Sequence, residues 1–182
     1  TRVCIGKYYT DENGKIEINN LRTGNYKLKE ISTNEWYNLA EDQNIEIKWD
    51  ETTKNQVENE LKKGQIKVIK VDKENNEIKI PNVIFEVQDS TGSVLEQIKT
   101  DENGEALTSK YPLRDYKSLR LHEIKTDEKY ELSENIEEIT LEENQIKTVQ
   151  IENEKIKGYI QIVKTSKEDN KITNTKKGES LE

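Results

Sequence analysis

The sequence predicts an all-β protein made of tandem small β-sandwich domains, and three observations carry that expectation. Short runs rich in Ile, Val and Tyr alternate apolar with polar residues at period two. Polar turns separate those runs, and no segment sustains a 3.6-residue apolar period with caps. Stretches of the chain also return at long, regular distances, which sets the domain size.

The returning stretches come in order. TDENGKI at 10–16 returns as TDENGEA at 100–106, NELKKG at 59–64 as NEKIKG at 153–158, and GQIKVIKVDKENN at 64–76 as GYIQIVKTSKEDN at 158–170. Asn59 and its counterpart Asn153 are 94 positions apart, a length suited to a β-sandwich domain rather than a solenoid unit. Residues 64–157 then form one complete copy. Residues 1–63 form a copy lacking its first strands, and 158–182 are the opening strand of a third. Within the complete copy the strand-like runs are 65–71, 83–88, 94–100, 119–124, 136–141 and 148–152. Asn103-Gly104 and Asn13-Gly14 are expected as hairpin turns with positive φ at both residues.

Composition narrows the function. Of 182 residues 31% are hydrophobic and 36% charged, and the net charge is −8. An acidic surface with interleaved charges excludes a phosphate-binding face, so no nucleic-acid partner is expected. No apolar run approaches the roughly 20 residues of a membrane span, so membrane insertion is not expected either. One cysteine, Cys4, precludes an internal disulfide or a thiolate metal cluster, and packing in a strand is its expected role. With one histidine, His122, there is no catalytic triad to assemble. The TDENG turns lack the Asp/Asn ladder and distal Glu of a calcium loop, so no metal or other cofactor is expected.

Three polar residues end apolar rows. Lys70 follows Ile66 and Val68 at period two, Glu123 follows Leu119 and Leu121, and Asn153 follows Val149 and Ile151. Any of them buried alone would cost several kcal/mol, so the three are expected to meet. The partial copies keep the pattern, with Glu30 after Tyr26 and Leu28, Asn59 after Val57, and Lys164 after Ile160 and Ile162. One reading is a buried ion pair with an amide partner, which adds little stability. The other is chemical. Desolvation favours neutral amines and neutral carboxyls, and a neutral Lys70 amine can attack the Asn153 carboxamide while Glu123, hydrogen-bonded to the amide oxygen, shuttles protons.

Lys70-Val-Asp72, TDENG at 100–104, Leu121-His-Glu123 and Asn153-Glu-Lys-Ile-Lys-Gly158 together resemble the Cna B-type, or SpaA-type, repeat domains of Gram-positive surface adhesins and pilins. So does TDENG followed by Asn20-Leu-Arg-Thr-Gly-Asn-Tyr-Lys-Leu-Lys-Glu30. The resemblance covers essentially the whole chain. It implies an Ig-like, prealbumin-like sandwich with a self-formed Lys–Asn isopeptide bond promoted by Glu123. It departs at Arg114-Asp-Tyr-Lys-Ser-Leu, where the family has Gly-x-Tyr, and at Pro81-Asn-Val-Ile-Phe85, where it has Gly-Ala before an aromatic residue.

The function implied is a structural stalk unit of an extracellular, cell-wall-anchored adhesin or pilin, cut from a longer parent, with neighbouring repeats as partners. It is not an enzyme beyond one autocatalytic turnover. The alternative is a binding module for a host extracellular-matrix protein or glycan, using Trp36, Tyr37 and Trp49; core or interdomain packing is the competing role for Tyr37 and Trp49. Because 158–182 carries a lysine strand and 1–63 lacks one, head-to-tail self-association bringing Lys164 near Asn59 is also expected.

Overall fold

Ten strands and no helix make up residues 3–168, the part of the chain described by this computed structural model. Chain contacts separate two units: the chain up to Gln65 with Ser109–Ser118 and Thr140–Lys147, and Ile66–Thr108, Leu119–Ile139 and the chain from Thr148 on.

In the first unit β1 (Gly24–Leu28) pairs antiparallel with β2 (Gln43–Ile47), from Gly24 opposite Ile47 to Leu28 opposite Gln43. Its apolar side chains are poorly covered. Val3, Ile5, Tyr9, Leu39 and Trp49 are all exposed, and Trp49 is 85% accessible, so it is not the core residue considered above. Tyr37 is half-buried and bridges Leu61. Cys4 is exposed and lies in no strand, against the expected packing role.

The second unit carries the core. One sheet is built on β3 (Lys63–Asp72), flanked by β10 (Ile146–Asn153) and β6 (Glu105–Leu107); the pairing of β3 with β7 (Tyr111–Pro112), at Lys63 and Gly64, belongs to the first unit. The hydrogen bonds Gln65 N to Gln145 O and Lys73 N to Asn153 O show that β3 and β10 run in the same direction. The other sheet has the order β5 (Val94–Lys99), β4 (Ile84–Gln88), β8 (Ser118–Lys125), β9 (Ile136–Thr140). Ile66 and Val68 from β3, Phe85 and Val87 from β4, and Leu119 and Leu121 from β8 are at most 1% exposed. Each such burial contributes about 1.5–3 kcal/mol, so alternation in these strands positions everything else.

The six expected strands of the complete copy are all present, with bounds shifted by at most two residues; β6 and β7 are too short to show a period. The Asn-Gly turns differ from expectation. Gly14 and Gly104 have φ of 73° and 69°, but Asn13 and Asn103 stay out of the positive-φ region. In each turn the Asp, not the Asn, organises the loop: Asp101 Oδ1 accepts from Asn103 N and Glu105 N, as Asp11 Oδ1 accepts from Asn13 N and Lys15 N. The result is a longer loop closed by Gly104 N to Asp101 O, with only the glycine left-handed. Residues 158–164, expected as an opening strand, form none among the described residues; Tyr159, Ile160 and Ile162 are 99%, 84% and 65% exposed, so these side chains face water and not a core. The rest of that segment, 169–182, lies outside the described residues.

Candidate functional site

Lys70 sits on the buried row of β3 after Ile66 and Val68, and its backbone is held on both sides. Its N–H donates to Gly104 O at 2.7 Å, and its carbonyl accepts from Ile80 N at 3.0 Å. A Cβ at Gly104 would lie 2.6 Å from the Lys70 carbonyl oxygen, so the TDENG turn closes directly on the lysine's backbone. Asn153 ends β10, the neighbouring strand in the same sheet. Glu123 comes from β8 in the other sheet, where it pairs with Phe85 of β4. Two strands of one sheet and one of the other thus converge.

The three expected side chains meet in the core. Lys70 is fully buried, and Glu123 and Asn153 are 2% exposed. Lys70 Nζ donates to Asn153 Oδ1 at 2.6 Å and lies 2.7 Å from Glu123 Oε2. Asn153 Nδ2 donates to Glu123 Oε1 at 2.6 Å and to Thr126 Oγ1 at 2.9 Å. The carboxyl therefore meets the amide at its nitrogen, whereas the sequence places it on the amide oxygen. Beneath the amine, the Phe85 ring lies 5.7 Å from Nζ, within cation–π range.

The electrostatics follow from burial. Desolvation holds the Lys70 amine below its ordinary value, against the opposing pull of Glu123. Glu123 Oε2, although close to Nζ, accepts no well-aligned hydrogen bond among the described residues, which leaves it an open proton acceptor beside the amine. The amide carbon is one C=O bond beyond Oδ1, so it lies within about 3.8 Å of Nζ. An amine, an amide carbon and a carboxyl are thus in reach of one another.

A second pair of expected residues also meets. In the first unit Asn59 Nδ2 donates to Glu30 Oε2 at 2.5 Å and to the Asn38 carbonyl at 2.9 Å, while Ala40 N donates to the same Glu30 oxygen at 2.7 Å. No lysine is ion-paired with Glu30 among the described residues. Lys164, the expected third member, lies in the exposed segment after β10.

Two features were not anticipated. Thr126 lies just past β8, where no alternation signals its direction. Asp72 continues the buried row two residues beyond Lys70, a signal that was present. Its Oδ2 lies 2.6 Å from Lys155 Nζ and accepts from Tyr130 Oη at 2.9 Å, and its Oδ1 accepts from Glu74 N and Asn75 N. These contacts, Lys155 foremost, hold its carboxyl far below the usual range. Lys155 stands two residues after Asn153, so this clasp joins the same two strand ends as the buried triad.

A sequence profile described as "SpaA: Prealbumin-like fold domain" matches residues 1–61 and 64–155. Among solved structures, the Bacillus anthracis TIE protein is similar at 30% identity and a TM-score of 0.64, covering 81% of this chain and 28% of that one. The minor pilin GBS52 of Streptococcus agalactiae is similar at 19% identity and a TM-score of 0.48, over 85% of this chain and 70% of that one. The major pilin subunit BcpA of Bacillus cereus is similar at 24% identity and a TM-score of 0.47, over 63% and 34%. The chain therefore spans under a third of the length of the TIE protein. No curated protein matches it in sequence.

Proposed function

The chain belongs to the SpaA prealbumin-like fold domain family, and from that premise we propose that it is a structural stalk unit of a bacterial surface adhesin or pilin, tied internally by a Lys70–Asn153 amide bond. The parent protein is then extracellular and held at the cell wall, and the unit's partners are neighbouring repeats. One observation carries the chemistry: a buried amine, carboxyl and carboxamide lie within 2.6–2.7 Å of one another.

Glu123 Oε2 takes a proton from the Lys70 ammonium, a transfer favoured because burial disfavours the charged amine. The neutral amine attacks Asn153 Cγ. As the C–N bond to Nδ2 breaks, the Glu123 carboxyl turns its protonated oxygen to that nitrogen and delivers the proton, and the attacking nitrogen gives up another to the carboxyl's other oxygen. Of the three Nζ protons one stays on the new amide, one leaves with Nδ2 as ammonia, and one ends on Glu123. The new bond joins residues 83 positions apart on adjacent strands. In the chain-entropy account a cross-link over that span stabilises by about 4.5 kcal/mol, and it shields the intervening chain from extension. Digestion and peptide mapping test the reading. A peptide linking Lys70 to Asn153, absent from Glu123→Ala, supports it; both residues unmodified in the wild-type chain contradict it.

A second reading, a module that binds a matrix protein or glycan, draws on Trp49, which is 85% exposed. Binding to matrix proteins lost in Trp49→Ala would support it. Head-to-tail association through 158–182 draws on the lysine-bearing row of 158–164 and on the Glu30–Asn59 pair. Covalent ladders on denaturing gels, with Lys164 linked to Asn59, would support it.

A further inference from the structure

We infer that the Thr126 hydroxyl is an orienting group for the bond-forming reaction: with Glu123 it holds both hydrogens of the Asn153 carboxamide nitrogen and so fixes the plane that Lys70 attacks. The inference rests on the reading above. A primary amide held by a single partner swings about its last side-chain torsion, where the energy well is broad. Here one N–H goes to Glu123 Oε1 at 2.6 Å and the other to Thr126 Oγ1 at 2.9 Å, from a strand and from the turn that follows it. With both directions used, the amide cannot rotate without breaking a hydrogen bond.

This restraint matters most when Glu123 takes the proton from Lys70. Until then an accepting carboxylate and a donating ammonium hold the amide between them. Afterwards the carboxyl can donate and the amine can accept, so the charges no longer fix the amide. Thr126 is neutral throughout, and its hold on the nitrogen does not depend on that transfer. It keeps the face of Cγ turned to Nζ at the moment of attack, the alignment on which reaction between positioned groups depends.

The first unit provides an independent instance. Asn59 Nδ2 also has two acceptors, Glu30 Oε2 at 2.5 Å and the Asn38 carbonyl at 2.9 Å. A backbone carbonyl only accepts, so the nitrogen must face it. The second acceptor lies eight residues after the glutamate in one unit and three after it in the other. The same restraint is thus reached from different positions by different groups.

The test uses the full chain made by cell-free translation, with intact mass followed over time in the wild type, Thr126→Val and Thr126→Ser. Thr126→Val is expected to lose ammonia about tenfold more slowly, the equivalent of one hydrogen bond, and Thr126→Ser to restore most of the rate. Equal rates in wild type and Thr126→Val would overturn the inference while leaving the bond itself standing. A second readout does not depend on the reaction. In Lys70→Met, which retains the Asn153 carboxamide, the side-chain N–H that faces Thr126 should exchange slowly with solvent, and faster in Lys70→Met/Thr126→Val. Unchanged exchange would overturn the inference even if no chain ever lost ammonia.

Discussion

The same carboxyl–carboxamide pair occurs twice, and only one of the two has an amine against it among the described residues. Glu30 with Asn59, and Glu123 with Asn153, both place an amide nitrogen on a glutamate oxygen. Both copies also build the same TDENG loop, with Asp N to Gly-following O at 2.9 Å and Gly N to Asp O at 3.0 Å. Around the second loop β5 and β6 pair with neighbours; around the first, residues 3–23 form no strand. Turns and short-range polar contacts therefore follow from local sequence, whereas strands and a buried amine require a sheet to receive them.

The largest expected effect separates the two pairs covalently. Glu123→Ala should abolish the Lys70–Asn153 bond, whereas Glu30→Ala should leave the mass deficit of the chain unchanged. In Lys70→Met the cross-link is absent and the methionine fills the volume over Phe85. The unfolding free energy of the second unit should then fall by about 4.5 kcal/mol, read from denaturant midpoints.

The glycines of the matching loops sharpen the contrast. At Gly14, φ is 73° and an added Cβ meets nothing within 4 Å, so Gly14→Ala should cost only the left-handed strain, about 1 kcal/mol. At Gly104, φ is 69° and the Cβ would press on the Lys70 carbonyl at 2.6 Å, so Gly104→Ala should cost about 3 kcal/mol and slow bond formation. Equal losses at the two sites would contradict the tight closure of the second loop on Lys70.

Asp72 gives a smaller, pH-dependent effect confined to the second unit. Its folded pKa lies below the unfolded value of about 3.9, so its contribution is complete above that value and is lost as pH falls through the depressed folded range. Asp72→Asn should lower the melting temperature at neutral pH, and the difference from wild type should shrink below about pH 4. A constant difference across that window would show that the Lys155 and Tyr130 contacts do not depend on the carboxylate charge.

The core site was legible because alternation decides which face a residue takes. Lys70, Glu123 and Asn153 each extend an apolar row, and burial of Ile66, Val68, Leu119 and Leu121 drives those rows inward. Asp72 lies on the same row and could have been read by going one step further. Thr126 could not, since it follows the end of β8 and its direction is set by the turn. The amide's orientation was misread because its two ends are alike in size and only their surroundings distinguish them. Residues 158–164 carry a strand's alternation without becoming one, since pairing is a property of neighbours and not of the segment itself.

The most direct test of the covalent tie is the intact mass of the purified chain under denaturing conditions. The wild-type mass should lie one ammonia below that of the sequence, and Lys70→Met should show the full sequence mass, corrected for the substitution. A wild-type mass equal to that of its sequence would contradict the tie.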